Sequence, residues 1–211
     1  FTWQLPYEYN PQATCQPIID WLYESVGGDE NQIQVLRAYL QAVLTGRFDL
    51  ERYLEIIGEG GSGKSTFAWL CQALVGTANT RATDFKTLES NRFEMSSFYG
   101  KRLIILSDES KFAGNVDNFK KITGGDSLRY EDKHKSVRGD KSRDFVFKGM
   151  CLVIANQAIK SSDYTSGLAR RRLTLYFNNN PSKIRNLKGE NGEFKPLLSG
   201  LINWVLAMPI A

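Results

Sequence analysis

Residues 58–66 read GEGGSGKST, in which Gly58, Gly63, Lys64 and Ser65 stand at the spacing G-x-x-x-x-G-K-[ST]. That combination suits a polyphosphate. Glycines let backbone N–H groups turn inward, a lysine meets the β and γ phosphates, and a hydroxyl reaches a divalent cation. Glu59, Gly60, Gly61, Ser62 and Thr66 complete the stretch expected to wrap ATP. Downstream, the apolar run 103–106 and Ser107 lead into Asp108-Glu109, which places two adjacent carboxylates at the C-terminal edge of a buried strand. Two carboxylates allow two jobs: Asp108, with Ser65, to hold Mg2+, and Glu109 to orient and deprotonate an attacking water. A P-loop kinase can also carry this pair, so the case for hydrolysis rests on Glu109 rather than on Asp108.

These residues need elements to position them. Apolar runs at 53–57, 103–106, 152–155 and 173–177 read as buried strands separated by helix-compatible stretches, the pattern of an α/β fold with a mostly parallel sheet. The first run feeds directly into the glycine loop, and a helix is expected over 67–74, giving the strand-loop-helix context that phosphate binding requires. Before the sheet, Pro17 with Ile18, Leu22 and Val26 predicts one helix ending at Gly27-Gly28. Asp29 and Gln32 predict a capping box for a second, whose stripe Ile33, Leu36, Leu40, Val43 and Leu44 runs to Gly46. Asn178-Asn179-Asn180-Pro181 and residues 188–192 are loop signals, and 193–208 is expected to be a closing helix.

The formal charge of +4 is unevenly held. Residues 120–148 carry nine Lys/Arg against five Asp/Glu, while the rest balances at 18 against 18. That segment is the candidate for meeting a polyanion, although a solvated charged loop gives the same surplus. Cys15, Cys71 and Cys151 match neither a disulfide framework nor a zinc spacing and are expected as buried thiols. His134, the one histidine, rules out a His-rich metal site or a Ser-His-Asp triad within this chain. No apolar run approaches the roughly 20 residues of a membrane span, and the opening FTWQLPYEYNP lacks the pattern of a signal peptide. The expectation is therefore a cytosolic or nuclear protein with no membrane partner, in the host cytoplasm if viral. Phe1 in place of Met leads to the expectation of a longer parent sequence.

Taken together, GEGGSGKST, LIILSDES, KKITGGDSLRYEDKHK, and MCLVIANQ followed by GLARRRLTLYF resemble, in order and spacing, the superfamily 3 helicases of phage, plasmid and poxvirus primase-helicases. The resemblance implies an AAA+-like P-loop core over 51–211, preceded by a small collar-like helical region over 1–50. It implies that Asn156 senses the γ-phosphate. It also implies an inserted β-hairpin, with arms 129–134 and 145–148, whose tip brings Lys133, His134 and Lys135 to DNA. An arginine finger is implied among Arg170, Arg171 and Arg172, all three candidates, with Arg170 aligning best. Such a finger contributes on the order of a thousandfold or more to turnover in other NTPases.

The activity implied is ATP-driven translocation on single-stranded or forked DNA by a homo-oligomeric ring, expected as a hexamer moving 3′ to 5′ and fused to or working with a primase. No primase catalytic region and no winged-helix region is recognisable within these residues. The alternatives are a P-loop kinase or other small-molecule phosphotransferase, and a ring module in which ATP only switches DNA binding.

Overall fold

The computed structural model describes residues 3–108, 112–130, 143–161, 166–178 and 185–209. In α1 (Gln16–Ser25), Pro17 occupies the first turn, where a missing N–H costs nothing, and Ile18, Trp21 and Leu22 turn inward. In α2 (Glu30–Thr45), the Asp29 carboxylate accepts from the backbone N–H groups of Asn31 and Gln32 at 2.9 and 3.1 Å. The Gln32 amide donates to that same carboxylate at 3.0 Å, while the Asp29 N–H goes to the Val26 carbonyl. The cap is thus one-sided where the sequence predicts a reciprocal box. Gly46 ends the helix as its C-cap.

Strands and helices then alternate: β1 (Tyr53–Ile57), α3 (Lys64–Val75), β2 (Thr80–Thr83), α4 (Phe85–Ser90), β3 (Leu103–Asp108), β4 (Ala113–Gly114), α5 (Asp117–Thr123), β5 (Ser127–Tyr130), β6 (Arg143–Val146), β7 (Met150–Ala155), β8 (Lys160–Ser161), α6 (Ser166–Arg171), β9 (Arg172–Tyr176) and α7 (Leu198–Leu206). Five of them form a sheet in the order β2-β3-β7-β1-β9, parallel throughout. Such a sheet must bury both faces, and the alternation of side chains along each strand divides the core accordingly. Leu54, Ile56, Leu103, Ile105 and Leu152 join α1, α2, α3 and α7 in one apolar cluster. Tyr53, Ile104, Leu106, Cys151 and Val153 join α4 and α5 in the other. The α/β class, the N-terminal helices and the inserted hairpin all agree with the sequence reading.

The hairpin pairs β5 with β6 antiparallel, from Ser127 opposite Val146 to Tyr130 opposite Arg143. The base of the pairing, Ser127 with Val146, lies two residues earlier on each arm than the expected base at 129 and 148, and Leu128 and Phe147 are buried beside it in the second core cluster. Lys133, His134 and Lys135, the expected tip, lie outside the described residues. The closing helix is shorter than 193–208: Pro196 holds residues 195–197 in a 3-10 turn, and α7 starts only at Leu198. All three cysteines are buried and unpaired. Among the described residues no helix is long and apolar enough to cross a membrane.

Candidate functional site

Register places the chemistry. Ile57 of β1 and Asp108 of β3 both pair with Ala155 of β7, which runs between them. The C-terminal ends of three neighbouring strands therefore form a row, with the ends of β1 and β3 about 10 Å apart at two strand spacings. The Gly58 N–H donates to the Ala155 carbonyl at 3.3 Å, holding the start of the glycine loop against β7. The loop then turns over into α3, whose N-cap Gly63 has φ 95°. A β-carbon there would stand 2.9 Å from the Trp21 ring, so glycine both permits the turn and lets α1 pack directly beneath it.

Above the row lies a cleft of about 650 Å³, lined by residues 60–66 with Ser107, Ile154, Ala155 and Asn156. None of these described lining residues is acidic. The Lys64 ammonium donates to the carbonyls of Gly58 and Glu59 at 2.6 and 2.8 Å, and partial burial lowers its pKa. The Ser62 hydroxyl is buried with no partner among the described residues. Loop N–H groups, a helix N-terminus and an ammonium make the cleft an anion receptor. Among the described residues no group of three His, Cys, Asp or Glu could hold a metal ion. The oxygen donors at the cleft, chiefly Ser65, instead fit a hard cation that takes the rest of its ligands from phosphates.

The other expected residues divide. Asn156 directly follows β7 and is exposed at the cleft. The backbone of Asp108 ends β3 on the same edge, while its side chain and Glu109 lie outside the described residues. Arg170, Arg171 and Arg172 sit on the opposite edge, because Arg172 opens β9 beside Tyr53, the first residue of β1. Arg171 donates to the Lys120 carbonyl at 3.3 Å and pairs with Glu51 at 3.6 Å. Arg172 donates to the Tyr53 hydroxyl at 2.9 Å and pairs with the buried Glu55 at 3.5 Å. Arg170 is exposed.

Three contributors escape the sequence reading. Trp21 supports the loop from below. Glu55, a carboxylate inside a five-residue buried strand, organises the opposite edge, and the charged letter in YLEII is its signal. Lys188 donates to the Ser65 hydroxyl at 3.0 Å; it comes from a segment that reads only as a loop, so nothing local announces it.

Residues 56–172 match a family described as a family of unknown function, DUF5906. A Marchantia polymorpha protein, "Uncharacterized mitochondrial protein ymf20", is 29% identical over 113 residues, 51% of this chain and 65% of its own length. A second from the same organism, ymf21, is 31% identical over 70 residues, 33% of this chain and 39% of its own. Among solved structures, the C-terminal region of NrS-1 shares the fold at TM-score 0.71 and 13% identity, over 97% of this chain and 50% of that one. A JCV helicase structure does so at TM-score 0.56 and 16% identity, over 89% and 52%. The chain thus spans about half the length of both of these solved structures.

Proposed function

This chain belongs to the DUF5906 family, and on that premise we propose that it is an ATP-driven DNA helicase or translocase of the superfamily 3 type, acting as a ring of copies with Mg2+-ATP bound between neighbours. One observation carries the reading. The glycine loop, the end of β3 and Asn156 share one edge of the sheet, while Arg170 is exposed at the other, too far to serve its own cleft. The fold shared with a JCV helicase supports it.

In this arrangement Lys64 and the loop N–H groups bind the β and γ phosphates. Ser65 and Asp108 would hold Mg2+, which would supply positive charge to the polyphosphate. Glu109 takes the proton of the attacking water. The Asn156 carboxamide can donate to the γ-phosphate and accept from water at once. A guanidinium from the next copy offsets charge at the transferring phosphoryl group. The hairpin built on β5 and β6 carries Lys133, His134 and Lys135 to the phosphates of a DNA strand, where contact is sequence-blind.

ATP turnover measured with and without forked DNA tests the reading, alongside Glu109→Gln and a Lys133→Ala/His134→Ala pair. DNA should raise turnover, and Glu109→Gln should bind ATP without hydrolysing it. The paired variant should keep basal turnover but bind DNA more weakly, with the log-log salt slope flattened by about 0.7 for every DNA phosphate that the variant leaves unneutralised. Turnover indifferent to DNA, together with brisk hydrolysis by Glu109→Gln, would overturn the proposal.

A further inference from the structure

Lys188 reaches the phosphate loop from 123 positions away, its ammonium donating to the Ser65 hydroxyl at 3.0 Å. The segment that carries it is built for rigidity. Arg185 and Glu193 close its ends with an ion pair at 2.6 Å. The N–H groups of Glu193 and Phe194 donate to the carbonyls of Asn186 and Leu187 at 2.9 and 3.1 Å, and the Asn186 amide donates to the Asn191 carbonyl at 3.1 Å. Gly192 passes so close that a β-carbon on it would lie 2.5 Å from the Lys188 carbonyl. Phe194, fully buried, then packs edge-on against Trp21 with ring centroids 5.6 Å apart. Trp21 is also the ring beneath Gly63. Phosphate loop and Lys188 segment rest on one indole, so the core sets their spacing.

The chemistry of the contact points to an anion. Lys188 is exposed, and its partner among the described residues is the neutral Ser65 hydroxyl. Lys64 lies on the same loop and lines the cleft with Ser65. Lys64 of the cleft lining and Lys188 on the hydroxyl of the lining Ser65 bring two ammonium groups to one loop, which fits a polyphosphate.

We propose that Lys188 is a second phosphate-binding cation in cis. With a nucleoside triphosphate in the cleft, its ammonium passes from Ser65 to a γ-phosphate oxygen and releases the hydroxyl for the divalent cation. This rests on the nucleotide reading above and deepens it, because the contact favours a triphosphate over a diphosphate.

Isothermal titration of Mg-ATP and Mg-ADP into the wild-type chain, Lys188→Ala, Lys188→Arg and Lys64→Ala tests the assignment, with circular dichroism as the check on folding. Lys188→Ala should weaken ATP by about tenfold or more, the scale of one charge-assisted hydrogen bond, and ADP by less than about threefold. Lys188→Arg should recover most of the loss. Lys64→Ala should abolish binding of both nucleotides. If the wild type binds both nucleotides and Lys188→Ala binds them equally well, or loses both alike, the Lys188 role is overturned and the nucleotide reading stands. If the wild type binds neither, the nucleotide reading itself falls and takes this role with it.

Discussion

Glu55 is the third residue of a strand whose five side chains are all buried, and a carboxylate there is tolerable only if its lone pairs are used. One oxygen accepts the Ile159 N–H at 2.9 Å, and the other accepts the Thr174 hydroxyl at 3.3 Å and faces the Arg172 guanidinium at 3.5 Å. Arg172 also donates to the Ile159 carbonyl at 3.1 Å. Burial works against the Arg172 charge, yet the Tyr53 hydroxyl and Glu55 hold its pKa above the ordinary value. Burial likewise pushes the Tyr53 phenol up to about 12. Removing the carboxylate in Glu55→Gln strands a partly buried cation. Breaking a fully buried pair costs about 3–5 kcal/mol, and the residual exposure of Arg172 reduces that to roughly 2–3 kcal/mol. Urea unfolding should report the loss, and Glu55→Gln/Arg172→Met should recover part of it. An unchanged urea midpoint in the single variant would show that the pair contributes nothing. The charged position is visible in YLEII, but its purpose is not: Ile159 is 104 positions away, a separation that only the parallel sheet closes.

α7 meets the segment before α1 with almost no clearance. A β-carbon at Gly200 would stand 2.2 Å from the Thr14 carbonyl oxygen. The same segment is tied down by the Asn10 N–H donating to the Ser199 hydroxyl at 2.6 Å, and by the Asn203 amide donating to the carbonyls of Asn10 and Ala13 at 3.0 and 2.9 Å. Helix propensity alone makes Gly200→Ala stabilising by about 1 kcal/mol. The overlap is with main chain that cannot rotate aside, and overpacking of that kind costs about 1–3 kcal/mol. The collision should win, giving a net loss of about 1 kcal/mol and a lower Tm; a Tm at or above wild type would show that residues 10–14 yield. Legibility from sequence follows the same logic of burial. β1, β3 and β7 are recognisable because a strand covered on both faces must be almost wholly apolar, whereas β9, an edge strand with only Leu175 buried, is legible from its apolar letters alone. β2, with the sequence TRAT, sits at the sheet edge with two of its four residues exposed, so it carries no such signature. The two-residue strands β4 and β8 and the short helices α4 and α5 offer no periodicity long enough to read.

Because every strand of the sheet runs the same way, the molecule has a phosphate edge and an opposite edge, and β9 begins at the latter. Arg172 lies beside Tyr53 and Tyr176 beside Ile57, so the four-residue climb separates the arginine cluster from the glycine loop by about 13 Å. Within the cluster, Arg171 is engaged by Glu51 and the Lys120 carbonyl, and Arg172 by Glu55 and Tyr53. Arg170 is the exposed member. The three letters are plain in the sequence, but the choice among them depends on burial contributed by β1 and α5 and cannot be read locally. On the proposed ring, a guanidinium that cannot reach its own cleft serves the neighbour's, and each interface draws its loop from one copy and its arginine from the next. Lys64→Ala and Arg170→Ala should each be nearly inactive alone, for different halves of the same site. Mixed in equal amounts, they should regain turnover, because about a quarter of randomly formed head-to-tail interfaces pair an intact loop with an intact arginine. Turnover that stays at the average of the two separate rates, in a mixture shown by native mass spectrometry to form mixed rings, would mean that Arg170 does not act between copies.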